Sequence, residues 1–246
     1  MPDLNLRRVR TLPNRICGRL QPAGWWILAG VRFPAVALGR AKPALFAVGD
    51  SHANSNFGND PRIHVRYLGP MTMHRIARDG RRAISLNRLG IFRRDIVIWC
   101  FGEIDVRCHL IKQRDLQRIS IPALADSLAR DYLRSIAAIQ AEIAERKTVI
   151  LAVIPPTDRG NNADFPKVGS LEERVNARKL LNAALEKYSS EFGFTYLDPY
   201  GPFTDPSGGL KLEMSDGSVH CGSTYAPLIV QKVADAVAPW LENPPA

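Results

Sequence analysis

A serine hydroxyl becomes a nucleophile when a histidine takes its proton and a carboxylate holds that histidine in place. Ser51 is the first residue to consider for this role. It stands in LFAVGDSHANSNF, residues 45–57, where an apolar run ends abruptly in Gly-Asp-Ser-His. Leu45 to Val48 reads as a short buried strand, because four consecutive apolar residues leave neither face polar. Gly49 then punctuates it. A serine so placed lies at the carboxyl end of a strand, where open α/β sheets carry their ligand sites. Three uses are open to it: nucleophile, phosphate-loop residue or helix cap. Asp, Ser and Asn after a strand are ordinary turn and cap residues.

The base must come from five histidines. His52 adjoins Ser51, and its side chain is expected to point elsewhere. His64 lies in a predicted strand and His74 in a predicted helix. His109 follows a third strand in FGEIDVRCH. His220 stands in MSDGSVHCGSTYAPLIV, directly before a closing helix, with Asp216 four positions earlier. One short loop can therefore carry both a base and its orienting carboxylate. Asp216-Gly217 also reads as a plain turn. Glu103, Asp105, Arg107 and His109 crowd the end of the third strand, either as a salt-bridged loop or as a rim facing substrate. Cys108, His109, His220 and Cys221 are zinc-ligand types, but adjacent Cys-His pairs converge poorly on one ion. No metal is assigned.

These residues need a scaffold. Strands are predicted at Leu45–Val48, Ile63–Tyr67, Asp95–Phe101, Thr148–Ile154 and Phe194–Leu197. The third and fourth are apolar on both faces, as strands covered by helices on both sides are. Between them run helical stripes. After Pro122 come Leu124, Leu128, Tyr132, Ile136, Ile139 and Ile143. Leu171, Val175, Leu181, Leu185 and Tyr188 form the next, with Ser170 and Glu173 as a capping box. Tyr225–Val237 closes the chain. Alternating β and α predicts a parallel sheet with right-handed crossovers.

The order of these segments resembles the SGNH, or GDSL-like, hydrolase superfamily. Its first block, a strand followed by Gly-Asp-Ser-x, is matched by Gly49-Asp50-Ser51-His52. Its last block, an Asp and a His before the final helix, is matched by Asp216 and His220. Its Gly-x-Asn-Asp block is approximated by Gly102-Glu103-Ile104-Asp105, and Gly69 stands for the glycine of its second block. The resemblance covers roughly residues 44–238. It implies a flavodoxin-like three-layer α/β/α sandwich with a five-stranded parallel sheet in the order 2-1-3-4-5. It also implies a Ser–His–Asp hydrolase of acyl esters, often acetyl groups on carbohydrates, with Asp50 bracing the nucleophile loop and no cofactor. The alternative is a non-catalytic module of the same fold that binds glycans or assists their modification. A metal-dependent phosphoesterase would need a carboxylate-rich cluster, and none is evident.

Two departures stand out. The Asp-to-His spacing has one extra residue, which Gly217 can absorb. Ile104 replaces the asparagine that donates to the oxyanion, and loss of one such donor typically costs about 10²–10³ in turnover. Backbone N–H groups of Ser51 and Gly69 remain as donors. Glu103, when ionised, only accepts, so Arg107 is the expected side-chain substitute.

The bulk numbers fit this picture. The 246 residues are 46% hydrophobic, enough for one large α/β domain. Residues 1–43 read as a basic and apolar appendage, 44–240 as the hydrolase domain and 241–246 as a tail. The net charge of +9 is partly local, in Arg7, Arg8, Arg10, Arg15 and Arg19. Nucleic acid is not expected as a partner, since few aromatics interleave with the basic residues and no binding motif is present. The stretch Trp25–Leu38 is too short and too interrupted to span a bilayer. It also makes a poor signal peptide. Four scattered cysteines, Cys17, Cys100, Cys108 and Cys221, form no CxxC pair and suit a reduced compartment. The expected location is cytoplasmic, and the expected substrate a small-molecule or glycan ester.

Overall fold

The computed structural model describes residues 30, 32–34, 42–141, 147–160 and 162–242. Five strands form one sheet: β1 (Leu45–Gly49), β2 (Ile63–Tyr67), β3 (Ile96–Cys100), β4 (Lys147–Leu151) and β5 (Thr195–Leu197). Their order is β2-β1-β3-β4-β5 and every pairing is parallel. Six helices are described: α1 (Ser51–Phe57), α2 (Met73–Asp79), α3 (Leu110–Gln117), α4 (Ile121–Gln140), α5 (Leu171–Glu191) and α6 (Ala226–Glu242). This is the expected α/β/α sandwich.

The two-sided burial of β1 shows why an unbroken apolar run was needed. Phe46 and Val48 enter the core beneath α2, α4 and α5. Leu45 and Ala47 enter the opposite core beneath α1 and α6. Side chains alternate across a strand, so a polar residue at any of these positions would fall into one core or the other. Helix α4 turns Tyr132, Leu133, Ile136 and Ile139 inward. The Ser170–Glu173 capping box opens α5 in both directions.

Three strands are shorter than expected, β5 by its first residue, Phe194. Strand β4 ends at Leu151 because β5 runs only from Thr195 to Leu197. Beyond the ladder, side chains of α5 hold the backbone of Val153. Asn182 Oδ1 accepts its N–H at 2.9 Å, and Arg178 Nε donates to its carbonyl at 2.7 Å. Strand β3 starts one residue late because Asp95 serves as a bracket. Its carboxylate accepts from the Ala44 and Phe92 N–H groups and from Arg32. Most of the expected appendage and tail, including Cys17 and Arg7 to Arg19, lies outside the described residues, as does Ile143. Among the described residues no helix is long and apolar enough to cross a membrane.

Candidate active site

Gly49 ends β1 opposite Tyr67 and Cys100, at the carboxyl edge of the sheet. A Cβ here would lie 2.4 Å from the Cys100 carbonyl oxygen and 2.6 Å from the Ala53 Cβ. Only glycine lets the chain turn from strand to helix so close to β3. Asp50 takes the cap position of α1, and its Oδ1 accepts the His52 N–H at 2.9 Å. The capping use open to Ser51 therefore belongs to its neighbour. Ser51 is half-buried at the first helical position, and its Oγ lies 2.9 Å from His220 Nε2.

The loop ahead of α6 presents the histidine. Ser215 and Cys221 form an antiparallel bridge, and the Asp216 N–H donates to the His220 carbonyl at 3.1 Å. These two contacts close a narrow loop. Gly217 turns it at φ +89°, a conformation that favours glycine. Asp216 uses its two oxygens separately. Oδ1 accepts the Ser218 N–H at 2.8 Å, and Oδ2 meets His220 Nδ1 at 3.1 Å. The turn and the histidine partner, alternatives in the sequence, coexist on one carboxylate. The extra residue between Asp216 and His220 is taken up inside this turn.

Gly69 follows β2 at φ +72° with open space where a Cβ would stand. The Leu68 N–H donates to the Gly49 carbonyl at 2.9 Å, which ties the two loops together. Neither the Ser51 nor the Gly69 N–H takes part in the loop and turn hydrogen bonds described around them. Gly102 does a different job. At φ +112°, its Cβ position falls 2.7 Å from both Met73 Cε and Val153 Cγ2, so it allows dense packing. Asp105 is fully buried and accepts from the Met73 and His74 N–H groups at 2.8 and 3.3 Å. It fastens the start of α2 to the loop after β3. Residues 105–109 form one π-helical turn that the sequence pattern did not reveal. Ile104, directly before it, is buried.

Arg107 departs from its expected role. Its Nε sits 2.8 Å from Glu103 Oε1, and Nη1 donates to the Phe165 carbonyl at 3.0 Å. A guanidinium buried and committed in this way is a counter-ion. The salt-bridged reading of this stretch describes Glu103 and Arg107, whereas Asp105 binds backbone. His109 is half-buried and lies with His74 and Asp131 along a separate cleft of about 490 Å³ between α2, α3 and α4.

His52 also differs from expectation. It is buried, and its ring lies beside that of His220, with centroids 4.6 Å apart at 50°. Its Nε2 stands 3.6 Å from Glu103 Oε2, an ion-pair distance longer than a hydrogen bond. Burial disfavours charge on His52, but Glu103 and Asp50 outweigh it and raise its pKa above the ordinary value. Burial pushes the Asp50 carboxyl up to about 6 against the pull of His52. Glu103 is disfavoured by burial too, yet His52 and Arg107 bring its pKa below the usual carboxylate value. His220 is shifted down, first by burial and then by the His52 charge, with Asp216 opposing. Position 52 gave no sequence signal beyond adjacency to Ser51. Only the first turn of α1 shows which way it faces. Among the described residues no three His, Cys, Asp or Glu side chains gather as a metal-ligand set.

No protein-family model matches the chain. No curated protein matches it either. Solved structures do. A protein from Bacteroides fragilis NCTC 9343, assigned as an acylhydrolase, superposes with a TM-score of 0.58 at 14% identity, covering 82% of this chain and 91% of its own. A GDSL-like lipase from Bacteroides thetaiotaomicron VPI-5482 gives 0.53 at 15% identity, covering 85% and 99%. A Streptococcus pneumonia protein assigned as a platelet activating factor gives 0.53 at 12% identity, covering 93% and 100%. The fold of this chain is the GDSL-like, or SGNH hydrolase, fold.

Proposed function

We propose that the chain is a serine esterase that cleaves acyl esters, with Ser51 as nucleophile, His220 as general base and Asp216 as its orienting carboxylate. The observation that carries this reading is the line from Asp216 Oδ2 through His220 to Ser51 Oγ, with contacts of 3.1 and 2.9 Å. Ser51 Oγ attacks the ester carbonyl while its proton passes to His220 Nε2. The tetrahedral intermediate collapses as His220 returns that proton to the departing alkoxide, leaving an acyl-serine. Water, deprotonated by His220, then attacks the acyl-serine, and His220 returns that proton to Ser51 Oγ as the acid leaves. The sequence needs no cofactor. The names of the proteins sharing the fold, acylhydrolase and lipase, belong to the same reaction class.

The Ser51 and Gly69 N–H groups are the oxyanion donors in this reading. The Ser51 N–H belongs to the nucleophile itself, Gly69 stands on the loop after β2 that the Leu68 N–H ties to Gly49, and neither N–H takes part in the surrounding loop bonds. Arg107 is not among them, because Glu103 and the Phe165 carbonyl hold it. A small-molecule ester or an O-acetylated carbohydrate is the substrate class we propose. Ile104 favours a second reading, a non-catalytic module of the same fold that binds glycans or assists their modification, since an isoleucine lends no side-chain donor to an oxyanion. A panel of chromogenic acyl esters, run on the wild type and Ser51→Ala, separates the two. Turnover that disappears with Ser51→Ala supports the esterase. A wild type no faster than Ser51→Ala on every ester supports the second reading.

A further inference from the structure

The reaction as written leaves one group beside the nucleophile unused. His52 projects from the first turn of α1 into the sheet edge and is only 3% exposed. One side of its ring meets His220 at 4.6 Å between centroids. Glu103 stands at 3.6 Å from Nε2, and Arg107 backs Glu103 at 2.8 Å. Asp50 faces it from the preceding turn, accepting the His52 N–H. Cys100 and Tyr200 line the same small pocket. A buried histidine with a carboxylate on one side and the proposed base on the other is an expensive feature for packing alone.

We propose that His52, braced by Glu103 and Arg107, is a positioning residue that holds the His220 ring toward Ser51 and keeps it unprotonated. The proposal rests on the esterase reading for its effect on rate, but not for its effect on His220 itself. Two consequences follow from the geometry. The ring of His52 limits how far the imidazole of His220 can swing away from the hydroxyl. The proton that Glu103 and Asp50 favour on His52 makes a second positive charge on His220 unfavourable. Burial first, and then the His52 charge, lowers the His220 pKa from its ordinary value, and a base must be neutral to accept a proton. The sign is fixed: removing the His52 charge raises the pH at which His220 becomes a usable base. The other charges facing the pair are Asp216 and Glu103, which both favour the charged form of His220, and Asp50 and Arg107 beside His52, the first favouring its proton and the second opposing it.

The test uses the full chain with His52→Phe, His52→Ala and Glu103→Gln. Nuclear magnetic resonance of ring-labelled histidines follows the His220 titration directly and requires no turnover. In His52→Phe a ring remains and the charge is gone, so the His220 midpoint rises, while burial continues to hold it down. In Glu103→Gln it rises less, because His52 loses its proton while a carboxylate that favoured the charged His220 is lost too. His52→Phe leaves Glu103 paired with Arg107. Glu103→Gln is independent of it and answers the question should that variant fail to fold. On an ester that the wild type hydrolyses, the acid limb of kcat/KM moves with the His220 titration. His52→Ala lowers kcat about tenfold with little change in KM, as loss of alignment does. A His220 midpoint unchanged in both charge-removing variants overturns the proposal. If no ester is turned over, the esterase reading falls, while the titration still decides the coupling between the histidines.

Discussion

Ser51 and His220 meet although 169 positions separate them, so each contributes only in the presence of the other. Residues that act as a unit give non-additive losses. Ser51→Ala and His220→Ala are each expected to remove most of the turnover, about 10³-fold or more, and the double variant should lose little beyond either. Steady-state rates for all four proteins on one ester check this, and losses that multiply would show two independent roles. This pair was legible in the sequence, because each member sits in a short motif at the edge of a recognisable element. The role of Arg107 was not. Charge and proximity to the strand end made it look available, but its partner Glu103 lies one helical turn back, and the Phe165 carbonyl comes from a loop 58 residues away. A guanidinium's partners are decided by tertiary structure, and spacing alone does not reveal them.

Among the elements, Asp105 is the clasp. It joins the loop after β3 to the first turn of α2 through two backbone N–H groups. An asparagine can accept only one of those hydrogens with its carbonyl oxygen, leaving its amide facing the other donor. Burial also pushes the Asp105 carboxyl up to about 7 from 3.8, against the pull of those N–H groups. Between these values the folded protein holds a proton that the unfolded chain has released, so this residue's contribution to stability falls as pH rises through the window. The stability advantage of wild type over Asp105→Asn should be greatest near pH 4, shrink up to about pH 7 and level off above it. Denaturant titrations of both proteins at four pH values test this, and a gap that widens with pH would refute it. The sequence indicated the strands and long helices well, because their apolar periodicity is local. It gave no hint of the π-helical turn at residues 105–109. The early end of β4 was equally hidden, since a strand stops where its neighbour does.

Across the whole molecule, the proposed chemistry and the Asp95 bracket lie at opposite ends of the sheet. The loops carrying Ser51, Gly69 and Gly102 follow the carboxyl ends of β1, β2 and β3. Asp95 lies at the amino end of β3, buried, with Arg32 reaching it at 2.8 Å. Arg32→Ala leaves that carboxylate short of its cation and should cost about 2 kcal/mol of stability. Its kcat/KM on an ester substrate should stay within about twofold of wild type, because substitutions distant from one another act nearly additively. A loss of activity without a loss of stability would contradict this separation. The strand order was predictable from the family resemblance, and the parallel sheet from the alternation of elements. The two-faced packing that gives each residue from Leu45 to Val48 a core to enter was visible as their uninterrupted apolar run.

The most direct test of the central claim is covalent capture of Ser51. A phosphonate ester that phosphonylates activated serines should add once to the wild-type protein, as read by intact mass, and abolish ester hydrolysis in proportion. Peptide mapping should place the adduct on Ser51. Ser51→Ala should take up none, and His220→Ala should react far more slowly because the hydroxyl keeps its proton. A Ser51→Ala protein that is still labelled at the wild-type rate, or a labelled wild type that still hydrolyses esters at full rate, would contradict the account.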